Sequence, residues 1–250
     1  MPQEYYAIDL PGKILYDKEF SISVRRITPI EQKFILSLSQ KEQKTNRDYI
    51  NFIKKLISID NPEMTFEELY WFDIQYILYK IRFTTYEKYP IKLIFKCKGY
   101  DEIEHKPCNE RIEKELNIGD MIINTPDDLP NLTRKITLDN LGEVDIRNKI
   151  IKDDLEIDDF IKANRLDGND TMTRLLLLDL CLIKGNKSLF EMYKLAEDGT
   201  LTASDIVAIE KWFTDNIWGV REEMTVVCPK CGKEEVRGYS LSLEDFFSAI

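Results

Sequence analysis

The chain has 250 residues, 43% of them hydrophobic and 32% charged, a balance that buries a core rather than leaving the chain disordered. Its net charge of -10 and pI near 4.9, with no basic block, weigh against a protein that grips nucleic acid or an anionic membrane through a basic face. The longest apolar runs, Leu175–Leu178 and Leu180–Ile183, are split by Asp179 and fall far short of the ~20 residues of a membrane helix.

From the N-terminus, Met1 to Leu10 shows neither a basic nor an apolar signal region. Five cysteines without such a signal lead us to expect a reducing compartment, the cytoplasm of the cell that makes the protein. Residues 1–27 predict an extended arm. Leu10-Pro11-Gly12 is a turn signal, and Phe20, Ile22 and Val24 alternate with polar neighbours as in a half-buried strand. One apolar face and an unpaired edge seek a partner, so these three residues are interface candidates, toward a neighbouring subunit or the chain's own helices. Thr28-Pro29-Ile30-Glu31 is a capping box opening a helix to about Gln43, and a second helix is expected from Arg47 to Ile59. Thr65-Phe66-Glu67-Glu68 opens another, to about Phe83, with Tyr70, Ile74, Ile77 and Ile81 on one face. Its many aromatic residues predict packing.

Ile91 to Cys97 reads as a strand, followed by short strands and loops to about Leu138, interrupted by Pro126 and Pro130. Helical pattern returns near Val144, where Asp153-Asp154 and Asp158-Asp159 read as solvated helix surface. Thr171 to Ile183 predicts a helix buried nearly all round, Ser188 to Leu195 a short one, and Thr202-x-x-Asp205 caps a helix to about Asn216. Met224 to Cys228 is a strand entering Cys228-Pro229-Lys230-Cys231-Gly232. Ser242 caps a last short helix, in which Leu243, Phe246, Phe247 and Ile250 form one apolar stripe. So short a helix does not stand alone, so the stripe must dock on this chain or on a partner. The expected fold is α+β, mainly helical. A small antiparallel, zinc-ribbon-like β element comes from segments 91–125 and 224–241. In chain order these are an arm (1–27), a helical region (28–90), a first half-ribbon with loops (91–143), a second helical region (144–223), and the second half-ribbon with the terminal helix (224–250).

Cys228-x2-Cys231-Gly232 after a strand is the strongest local chemical signal, because two thiolates in a tight turn hold half of a tetrahedral zinc site. Cys97 and Cys108 are the candidates for the other half, with His105, the chain's single histidine, as a further ligand candidate. The alternative is a ribbon with reduced, metal-free cysteines. Zinc is the one cofactor the sequence points to. Cys181, inside a leucine-rich helix, reads as core. The sequence holds no HExxH, GxSxG, P-loop or GxGxxG motif, so no catalytic residue is assigned and the protein is not expected to be an enzyme.

The order of these features carries a resemblance. Leu10-Pro11-Gly12 leads to Ser23-Val24-Arg25-Arg26-Ile27-Thr28 and Glu31, then to Asp73-Ile74-Gln75-Tyr76-Ile77-Leu78, Ile81-Arg82 and Tyr86, and to the strand with Cys97. Trp218-Gly219, Cys228-Pro229-Lys230-Cys231-Gly232 and Glu244-Asp245-Phe246-Phe247 close the chain. This pattern resembles the small baseplate proteins of T4-like contractile-tailed bacteriophages, well over residues 10–125 and 165–250 and poorly over 126–164. The resemblance implies a structural or assembly component of the phage tail baseplate, in its hub region, without catalytic activity. It implies binding to other tail or baseplate proteins (hub, tube or wedge), in the host cytoplasm during assembly and then in the virion, with no nucleic acid and no membrane insertion. At Cys97 the sequence departs from a paired zinc ribbon, since Lys98-Gly99-Tyr100 follow where a second cysteine is expected. The competing reading is a zinc-ribbon adaptor for nucleic acid or the transcription machinery. That reading needs a basic face, and Lys230, Lys233 and Arg237 are offset by Glu234 and Glu235.

Overall fold

The computed structural model describes residues 4–39, 46–87, 89–117, 121–126, 134–167, 170–241 and 246–247. Strands β1 (Tyr5–Ile8) and β2 (Ile22–Arg25) pair antiparallel, Tyr5 opposite Arg25 and Ile8 opposite Ile22. Helices α1 (Pro29–Ser39) and α2 (Asn46–Lys54) follow, and β3 (Ile57–Ile59) then completes a three-stranded sheet on the other edge of β2. Of the two partners expected for the alternating face of this segment, it is the chain's own core that takes it: Ile22 and Val24 are 4% and 0% exposed there, and Phe20 is half-buried against it. One expectation is corrected. Helix α2 stops at Lys54, because Ile57, Ser58 and Ile59 take up pairing with Val24, Ser23 and Ile22, which a helix to Ile59 would forbid.

The Thr28–Glu31 box caps α1 as expected, and Glu31 also takes both ends of the buried Arg25 guanidinium, at 2.7 and 3.0 Å. The Thr65–Glu68 box opens only a 3-10 turn, Phe66–Glu68. Helix α3 (Trp71–Thr85) begins after it and buries Ile74, Ile77, Tyr79 and Ile81, together with two polar residues, Asp73 and Arg82. Asp73 accepts from Gly12 N (2.9 Å) and Tyr16 OH (2.6 Å), which ties the 10–16 turn to α3. A Cβ on Gly12 would fall 2.5 Å from the Phe72 ring, so the turn needs glycine there. Arg82 donates to Tyr89 O and stacks 4.2 Å from the centre of the Tyr86 ring.

Beyond α3, β4 (Ile91–Lys96) and β7 (Arg111–Leu116) form a hairpin extended by the short pair β5 (Tyr100–Asp101) and β6 (Lys106–Pro107). The next strand, β8 (Ile122–Asn124), pairs with β11 (Gly219–Arg221) from the far end of the chain. Between them lie the hairpin β9 (Lys135–Leu138) and β10 (Gly142–Asp145), then helices α4 (Ile151–Asn164), α5 (Thr171–Ile183), α6 (Leu189–Glu197) and α7 (Ala203–Asp215). Val144 is therefore in a strand, opposite Ile136, and not at the start of a helix. The chain ends with the hairpin β12 (Glu223–Val227) and β13 (Glu234–Gly238). The fold is α+β. Among the described residues no helix is long and apolar enough to cross a membrane.

The buried apolar residues form two clusters. One gathers the N-terminal sheet, α1 to α3, the β4–β7 and β12–β13 hairpins and Phe246 and Phe247; the other gathers α4 to α7 with β9. Helix α4 belongs to both, giving Ile151 and Leu155 to the first and Ile157, Phe160 and Ile161 to the second. Asp153 and Asp154 are buried, against the expectation of solvated surface, because Arg147 and Lys149 pair with them. Helix α5 has the expected bounds but is not buried all round: Met172 is 72% exposed, and burial is complete only toward its C-terminal half.

Within α5, burial first and the nearby Glu210 second push the Asp179 carboxyl up to about 7. A raised folded-state value means that the protonated form is favoured by folding. Stability is lost as pH rises from the unfolded value, about 3.9, through about 7. Asp179→Asn should therefore stabilise the protein by on the order of 2 kcal/mol at pH 8 and change little at pH 4, as read by urea unfolding.

Candidate metal centre

The two cysteine-bearing segments meet. Cys97 follows β4, its N–H bonding Glu110 O across the hairpin, and Cys108 precedes β7, its N–H bonding Gly99 O. These bonds hold both cysteines at the neck between β4–β7 and β5–β6, where Asn109 takes a left-handed φ of 52°. Cys228 follows β12, and the turn to β13 is closed by Gly232 N to Cys228 O (3.0 Å) and Cys228 N to Lys233 O (2.9 Å). Gly232 sits at φ +69°, a conformation that glycine adopts without strain.

The four sulfurs lie within 4.8 Å of one another. Cys97 and Cys231 are 3.6 Å apart, Cys108 and Cys228 3.7 Å, so each close pair joins one hairpin to the other. Cys97, Cys108 and Cys228 are buried and Cys231 is half-buried. Burial pushes the Cys97 thiol up to about 12, whereas N–H groups of Cys231 and Lys230 hold Cys228 down at about 7. Gly99 N–H also points at Cys97 Sγ, at 3.2 Å. The expected single ribbon is corrected in one respect: β4–β7 and β12–β13 are separate two-stranded sheets, and backbone pairing between the chain halves runs through β8 with β11 and the Tyr70–Ile150 bridge.

Around the sulfurs, acidic and basic side chains cross between the hairpins. Lys230 pairs with Asp101 (2.8 Å) and Glu104 (3.3 Å). Glu235 accepts from Lys98 N and pairs with Arg237 and Lys233, while Arg237 also donates to Lys96 O. His105 is exposed in the β5–β6 turn at φ 49° and is not one of the four grouped ligands. Gly99 was not singled out from the sequence, yet a Cβ there would lie 2.8 Å from Cys231 Sγ and 3.1 Å from Cys97 Sγ. The available signal was a glycine two residues after a ligand cysteine, at the place where a second cysteine was expected.

Phe246 and Phe247 are helical and buried in the first apolar cluster, packed on Tyr79 and Phe52, so with Ile22 and Val24 they belong to the chain's core and not to an exposed interface. Leu243 and Ile250 lie outside the described residues. Cys181 is fully buried in the second cluster. A further group, Asp153, Glu156 and Cys181, is close enough to hold an ion, but Asp153 is committed to Arg147 and Glu156 to Lys184.

Compared with known proteins, residues 10–173 match the family model described as T4 bacteriophage base plate protein. The match includes residues 126–164, which the sequence pattern fitted poorly, and it stops before the Cys228–Cys231 turn. No curated protein and no solved structure matches.

Proposed function

The chain belongs to the family of T4 bacteriophage base plate proteins, and from that premise we propose that it works in the hub region of a contractile tail's baseplate, as a structural or assembly component that binds other tail proteins. The observation that carries this reading is the family match over residues 10–173. Its partners are the hub, tube or wedge proteins, met in the host cytoplasm during assembly, and it has no catalytic role.

The motif residues support a scaffold. Arg25 with Glu31, Gly12 with Asp73, and Gln32 and Tyr86 with the Phe247 carbonyl are internal contacts that fix the shape of the chain. Gly219 has the same character: it sits at φ +88°, and a Cβ there would lie 2.9 Å from Phe72 O. The adaptor reading gains no support from the hairpins, where Lys230, Lys233 and Arg237 are each paired with carboxylates.

An affinity-tagged chain recovered from infected cells tests the proposal. Tail or baseplate proteins should co-purify in a fixed ratio, without nucleic acid. Recovery of nucleic acid or RNA polymerase in place of tail proteins would favour the adaptor and overturn the hub reading.

A further inference from the structure

We propose that Cys97, Cys108, Cys228 and Cys231 bind one zinc ion in a closed tetrathiolate site that staples the β4–β7 hairpin to the β12–β13 hairpin. Four sulfurs about 2.3 Å from a central ion, at the corners of a tetrahedron, are about 3.8 Å from one another. The two closest pairs here are 3.6 and 3.7 Å apart, and all four fall within 4.8 Å. Edges of that length suit a single ion. A donor set of sulfur alone selects a soft ion and disfavours magnesium or calcium.

The surroundings fit the charge of such a site. Four thiolates around Zn2+ leave two net negative charges, and the Gly99 N–H faces the Cys97 sulfur at 3.2 Å. Gly99 leaves room where any side chain would strike the Cys231 and Cys97 sulfurs. Four cysteine ligands fill a tetrahedron, so no open position remains for a substrate and the site is structural. On binding, the thiol protons leave to solvent and four Zn–S bonds form, with no electron transferred.

The staple also has a physical task. Isolated two-stranded hairpins are marginal in water, and these two share no backbone ladder. Their ligand pairs are 134 and 120 positions apart in the sequence, so the ion closes a very long loop. Half of the ligands lie inside the family-matched residues and half beyond them.

The test uses the full-length protein, purified reduced and without chelator. Native mass spectrometry and elemental analysis should find about one zinc per chain. Cobalt substitution should give the ligand-field and sulfur-to-metal charge-transfer bands of a tetrahedral thiolate site. Serine in place of any one of the four cysteines should reduce bound zinc at least about tenfold, and Cys181→Ala should not. Because a serine variant can fail to fold, the unsubstituted protein gives a second measurement. A strong zinc chelator should lower its melting temperature, and zinc but not magnesium should restore it. Metal-free reduced protein whose melting is indifferent to zinc would overturn the proposal. So would iron in place of zinc, disulfide-linked cysteines in freshly reduced protein, or full zinc retention in the serine variants.

Discussion

Replacing Phe246 and Phe247 together by alanine is expected to unfold the protein at physiological temperature. Phe247 is 0% exposed and Phe246 4%. Phe247 meets the Phe52 ring edge-on at 6.0 Å between centroids, and Phe246 meets Tyr79 at 4.7 Å. Each phenylalanine-to-alanine truncation in a core costs about 3–5 kcal/mol. The two rings are 6.3 Å apart and share one cavity, so the costs are not strictly additive. Even so, the loss is comparable to the whole stability of a typical domain, about 5–15 kcal/mol. The Phe247 main-chain carbonyl is kept in the variant, so its bonds from Gln32 Nε2 (2.9 Å) and Tyr86 OH (3.0 Å) would be left to hold the segment without the two rings. Urea unfolding of the single variants, followed by the solubility of the double variant, measures this. An unchanged unfolding midpoint combined with failure to assemble would instead make the two rings an interface.

Asp153→Ala is expected to cost about 2 kcal/mol, because it removes a fully buried carboxylate that caps a helix and pairs with a guanidinium one-third exposed to solvent. Asp153 is 0% exposed and receives both Arg147 Nη groups at 2.7 and 2.8 Å, and Ile150 N at 2.9 Å. The same carboxylate therefore neutralises Arg147 and caps the first turn of α4, the helix shared by the two apolar clusters. A solvated surface aspartate would cost no more than about 0.5 kcal/mol on the same substitution, so chemical denaturation separates the two descriptions. Replacing Arg147 and Asp153 together by methionine and leucine should recover only part of the loss, since no unpaired charge then remains but the Ile150 N–H stays uncapped.

What could be read in the sequence was local. The capping boxes at Thr28–Glu31 and Thr202–Asp205 are spelled within four residues, and the structure has both. The bounds of α5 follow the two apolar runs on either side of Asp179. What could not be read depended on distant partners. Ile57 to Ile59 carries residues at home in a helix or a strand, and only β2, more than thirty positions earlier, decides for the strand. Asp153 reads as surface until Arg147 folds back over it. The arm's alternating face and its possible docking on the chain's own helices were legible, but not that β1 and β3 would pair with both edges of β2. The four cysteines were legible as two halves of one site, because two thiolates leave a tetrahedron incomplete; what no local spacing encodes is that their strands form two separate hairpins, one in the middle of the chain and one near its end.

The most direct measurement for the baseplate role is a count of complete baseplates made by a phage whose copy of this gene is inactivated, by sedimentation and electron microscopy of infected-cell lysates. Complete baseplates should be missing, with tail proteins left in partial assemblies, and the intact chain supplied in trans should restore them. Complete, infectious tails formed at normal yield in its absence would contradict the role.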